Sequence, residues 1–165
     1  MARRAPKTTY LSGLDKVMKN LNNEISKIEN RSLKGMIRST IIIRRSMEDT
    51  TPTIPVDQGN LRASWFTVSS KGETAQGSTA AFKGEDAGKM SAQHSSTISS
   101  AKAALATERR PVVMMGFSAN YAGWVHEMIG VNWKRPGSGA KFFQAAIRRN
   151  FRPVLRAIAN DAKIK

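Results

Sequence analysis

Pro111-Val-Val-Met-Met-Gly-Phe117, Asn120-Tyr-Ala-Gly-Trp-Val-His-Glu127 and Lys134-Arg-Pro-Gly-Ser-Gly139 stand in that order ahead of a basic segment ending at Lys165. They read as a short strand, an aromatic turn, a loop rich in Gly and Pro, and a long closing helix. The rest of the chain reads as what this unit packs against or reaches out from.

The helix is expected to start near Ala140, entered through Gly137, Ser138 and Gly139. Advancing 100° per residue, Phe143, Ala146, Ile147, Phe151, Val154 and Ile158 fall on one side. Lys141, Arg148, Arg149, Arg152 and Arg156 fall on the other, a solvated face or a surface for an acidic partner. Pro153 lies inside the pattern and predicts a kink near Arg149–Asn150, or two helices in tandem.

Upstream, residues 1–11 are basic and polar and read as an arm. Ser12-Gly-Leu-Asp15 has the form of a capping box, and a helix pattern then runs to about Met47. Its stripe is Leu14, Val17, Met18, Leu21, Ile25, Ile28, Met36 and Ile43, read as core, with Lys and Arg elsewhere. Ser32, Gly35 and Ser39 are small residues in mid-stripe. Either another element crosses closely there or the helix breaks near Gly35.

Thr50 to Gly59 holds two prolines and an Asp57/Gly59 pair, so an extended segment and a turn follow. Leu61 to Ser69 alternates in a way that suits a strand with both faces partly covered. Residues 70–107 are so rich in Ser, Thr, Gly and Ala that they read as an inserted flexible arm or long hairpin pinned by other copies, with a short helix over Ser99–Thr107.

At 165 residues a single domain over 1–165 is the default. The net charge of +15 is uneven: +6 over 1–50, +1 over 51–131 and +8 over 132–165. Nucleic acid or acidic protein surfaces are the natural counterparts of such ends. There is no cysteine, which excludes disulfides and thiol chemistry. The Met1-Ala-Arg-Arg start is not followed by an apolar run, and no segment approaches the ~20 apolar residues of a membrane span, so neither export nor membrane contact is expected.

No catalytic constellation emerges, and neither an enzyme nor a cofactor or metal site is expected. Gly72-Glu-Thr-Ala-Gln-Gly-Ser-Thr79 carries Ser78 where a phosphate-binding loop needs Lys. His126-Glu127 lacks the second histidine of a zinc helix, so His126 reads as a hydrogen-bonded structural residue. Trp124 and Trp133 are core residues or, for one of them, an interface anchor.

Three blocks in order carry a resemblance. Ile54-Pro-Val-Asp-Gln-Gly-Asn-Leu-Arg-Ala-Ser64 resembles the turn-and-strand block of the small neck and tail-completion (head–tail joining) proteins of tailed bacteriophages. Asn120 to Glu127 is similar to that family's aromatic turn, and Gly139-Ala-Lys-Phe-Phe-Gln-Ala-Ala-Ile147 to its helix start. The resemblance implies an α+β fold, with a long N-terminal and a C-terminal helix packed on a small, mostly antiparallel sheet. It implies a structural virion protein: a homo-oligomeric ring, six copies expected, assembled in the host cytoplasm and joining the head connector to the tail. The partners it implies are further copies, connector or adaptor proteins, the tail tube or tail terminator, and the DNA in the channel. The interface residues proposed on this basis are Trp124, Glu127, Arg148, Arg149, Arg152 and Arg156. The alternative is a basic nucleic-acid-binding module without catalysis.

Overall fold

A computed structural model describes residues 13–74 and 81–163. The elements are α1 (Leu14–Asp49), α2 (Asn60–Ala63), β1 (Trp65–Ser69), α3 (Ala87–Leu105), β2 (Val113–Phe117), α4 (Ala122–Glu127) and α5 (Phe142–Ala162). The fold is α+β, with α1 and α5 on a two-stranded antiparallel sheet whose register runs from Trp65 opposite Phe117 to Ser69 opposite Val113.

Two strands alone are marginal in water, so both faces of this ribbon must be covered. Trp65 meets the main core of Ile43, Met47, Ile54, Leu61, Ala119, Phe142 and Ala146. Phe66 and Val68 point the other way, into a smaller core with Ala101 and Leu105 of α3. Every residue of β1 is buried, as the two-sided alternation predicts. The strand begins at Trp65, however, and not at Leu61. Asn60–Ala63 instead make one helical turn entered through Gly59, whose φ of 92° only glycine adopts without strain.

α1 does not break at Gly35; α5 crosses it there. A Cβ at that position would lie 2.8 Å from the Ile158 Cα and 3.3 Å from the Ala157 carbonyl oxygen. The Ser39 hydroxyl bonds the Gly35 carbonyl at 2.8 Å, and Arg38 pairs with Asp161 at 2.8 Å. At the other end, Arg149 of α5 reaches residues 46–51. The helices therefore run antiparallel. α5 is one helix through Pro153, not two in tandem. Lys141, with φ 58°, stands at its entry in place of the glycines expected there.

Two further expectations are corrected. Ser12 lies outside the described residues, as does the arm 1–11, and Gly13 occupies the N-cap without a side-chain bond. The larger correction concerns 70–107. Residues 75–80 are not described, but Ala87–Leu105 is a 19-residue helix lying on the chain's own sheet, not an arm reaching to neighbours. Met90, His94, Ile98, Ala101 and Leu105 recur at helical spacing and supply its inner face. Asn60 secures the approach to α3: its amide donates to the Lys83 carbonyl at 2.9 Å and accepts from the Lys83 N–H at 2.8 Å.

One carboxylate ties the elements together. Glu48 pairs with Arg44 at 2.9 Å and with Arg62 of α2 at 2.7 Å, while Arg135 donates to the Glu48 carbonyl at 2.8 Å. Arg44 lies over the Trp65 ring, 5.3 Å from its centroid.

Two predictions follow from this packing. Gly35→Ala gains about 1 kcal/mol of helix propensity, but overpacking against backbone costs about 1–3 kcal/mol. Denaturant unfolding is expected to show a net loss on the order of 1 kcal/mol; a gain would mean that the crossing is looser. The second concerns His94, whose Nδ1 lies 2.7 Å from the Ser118 hydroxyl. Burial pulls its pKa below the ordinary value. The unfolded chain therefore takes up this proton near pH 6.5, where the folded chain does not. The His94 contribution is intact above that pH and is lost as pH falls below it. His94→Gln is expected to flatten the fall of the unfolding midpoint between about pH 7 and 5.

Candidate assembly interface

α5 turns Phe142 and Ala146 fully inward, with Asn150, Val154 and Ile158 half-buried behind them. The apolar stripe expected from the sequence is thus divided. Ile147, Phe151 and Leu155 form an outward ridge, 41%, 60% and 50% exposed. Residues four apart stack along one line of a helix, so the three make a continuous apolar edge. Arg148, Arg152 and Arg156 repeat the same spacing beside it. All three are exposed, and no ion pair with a described residue engages them.

Arg149 does something else. Its guanidinium donates to the carbonyls of Ser46 at 3.2 Å and Thr50 at 3.0 Å, and also to the Thr51 carbonyl. It bonds the Ser46 hydroxyl at 3.1 Å as well. These carbonyls lie at the C-terminus of α1, where the Thr50 N–H reaches only the Ser46 carbonyl, at 3.2 Å, and the helix dipole is negative. A charged fork meets both needs, so Arg149 is a cap and not part of the outward face.

Glu127 is likewise occupied within the chain. It accepts from His126 Nδ1 at 2.8 Å and from the Lys141 ammonium. The Lys141 bond, followed by that of His126, holds the carboxyl below its ordinary pKa. The Lys141 N–H also donates to the His126 carbonyl at 2.7 Å, and the His126 ring meets Phe142 edge-on. Glu127 and His126 therefore latch α4 onto the entry of α5. This is the structural role expected for His126, and it removes Glu127 from the set of unengaged interface groups.

Trp124 is 76% exposed on α4 and is followed by exposed Met128, Ile129 and Val131. It belongs to a second apolar patch, at the N-terminal end of α5. The arginines extend from there along α5, Arg156 standing about 20 Å from the helix start at 1.5 Å per residue. Trp133 is half-buried and lines an open groove of ≈ 780 Å³ with Asp57, Asn60, Tyr121 and Lys134. Burial and then the Asp57 charge push the Tyr121 phenol above its ordinary pKa. Among the described residues no group of three His, Cys, Asp or Glu side chains stands together as a metal site would. No described helix is long and apolar enough to cross a membrane.

Sequence reasoning missed Ile147, Phe151 and Leu155 as surface residues. The signal was present in the width of the stripe: apolar positions spread over more of α5 than one neighbouring helix can cover. The chain matches no family model, no curated protein and no solved structure.

The two neighbouring arginines are expected to separate in a stability assay. Arg149→Ala should cost about 1–2 kcal/mol, since it leaves several carbonyls without a charged donor. Arg148→Ala should stay within about 0.5 kcal/mol. Equal effects in urea unfolding would show that Arg149 is not a cap.

Proposed function

We propose that this chain is a structural, non-enzymatic subunit of a tailed-bacteriophage neck, acting as a homo-oligomeric ring that joins the head connector to the tail. The observation that carries the reading is the outward face of α5. Its apolar ridge and adjacent arginines are uncovered together, an arrangement that suits burial against another protein surface with acidic groups. The three sequence blocks support it. Ile54–Ser64 forms the turn, α2 and the approach to β1; Asn120–Glu127 forms α4; and Gly139–Ile147 opens α5. The exposed Trp124 patch offers a second contact for a ring neighbour or for connector and tail proteins.

The test is binding of the purified chain to tailless phage heads that display a connector. The wild-type chain is expected to bind and to appear as a ring in electron micrographs. Replacing Arg148, Arg152 and Arg156 together by Ala should weaken binding about tenfold or more at low salt, with the gap narrowing near 1 M salt as charges are screened. Failure to bind heads, combined with tight salt-dependent DNA binding by a monomer, would overturn this in favour of a nucleic-acid-binding module.

A further inference from the structure

The first half of α1 has no partner among the described residues of its own chain. Leu14, Val17, Met18, Leu21 and Ile25 are between 44% and 61% exposed. At 100° per residue they lie in line with Ser32, Gly35, Ser39 and Ile43, the face that α5 covers further along. α5 ends at Ala162, soon after crossing Gly35. From Leu14 to Ile25 the stripe therefore runs on for about three turns, roughly 17 Å, beyond its cover.

The charges beside this stripe differ between its two borders. Asp15 and Glu29 lie on one side; on the other, Glu24 is paired with Lys27 at 2.6 Å and has Arg31 one helical repeat further on, while Lys16 and Lys19 fall at the back. The ridge on α5 has the opposite border: Arg148 and Arg152 lie next to Phe151 and Leu155, and Arg156 is turned further round. Two α5 ridges face to face would bring arginine against arginine. Setting α1 against α5 joins apolar to apolar and places the Asp15–Glu29 border against Arg148 and Arg152.

We propose that the first half of α1 of one copy lies along the Ile147–Phe151–Leu155 ridge of the next copy. Each copy then gives one surface and receives the other, which makes the contact heterologous and able to close into a ring. The proposal rests on the neck-ring reading and names the surfaces that build the ring.

The test uses two full-length variants at exposed positions, Leu21→Glu and Phe151→Glu, each checked for wild-type helix content by circular dichroism. Light scattering is expected to find the wild-type chain associated and each variant monomeric. An equimolar mixture of the two should form a 1:1 pair that grows no further. In that pair the intact α1 of the Phe151→Glu copy sits on the intact ridge of the Leu21→Glu copy, and no other such contact remains. Rings that survive both substitutions, or variants that never pair when mixed, would overturn the α1–α5 contact while leaving head binding to decide the neck reading. Self-association that appears only on deleting residues 1–12 would show that the stripe is covered by the chain's own N-terminal residues, and would also overturn it.

Discussion

The backbone-to-backbone crossing of α1 and α5 at Gly35 is the constraint on which the rest of the fold depends. No side chain larger than hydrogen fits between that position and the Ile158 backbone. Such an approach fixes the axial register of the two helices. Arg38–Asp161 holds one end and the Arg149 fork on the α1 carbonyls holds the other. With the register set, Phe142 and Ala146 face Trp65 and the sheet has a floor.

The polar contacts act mainly as positioning devices around that core. Glu48 gathers guanidinium groups from α1, α2 and the loop before α5, and so orients the turn from which β1 emerges. Glu127, His126 and Lys141 hold α4 against the start of α5 although Lys141 has a left-handed backbone conformation. A non-glycine residue in that conformation costs of order 1–3 kcal/mol and persists only where its surroundings over-determine it. What these latches leave outside is apolar surface: the first turns of α1, the Trp124 patch and the α5 ridge. These three areas are the grounds for the assembly proposed above.

Much of the architecture was legible in residue patterns. The two long helices follow from 3.6-residue periodicity, although the sequence also allowed a kink or a second helix at Pro153 where α5 runs on as one, and the burial of both faces of Trp65–Ser69 follows from two-sided alternation. The small residues Ser32, Gly35 and Ser39 pointed to a crossing, though a break at Gly35 was an equal reading. α3 was obscured because Ser, Ala and Gly dilute its stripe, and the composition of 70–107 outweighed the spacing of Met90, Ile98 and Leu105. Of the residues expected at an interface, Trp124, Arg148, Arg152 and Arg156 stand exposed, whereas Arg149 and Glu127 are taken up by α1, Lys141 and His126.

Taken alone, the sequence determined that two long amphipathic helices flank a short two-faced strand, and that positive charge gathers at both ends of the chain. These properties are local: each residue's direction from a helix or strand axis is set by its position in the repeat. Only the tertiary structure decided which part of each stripe is core and which is surface. That depends on where a helix more than a hundred residues away in sequence crosses, and on how far it reaches. α5 has 21 residues against the 36 of α1, so α1 outruns its cover and its leading stripe stays exposed among the described residues.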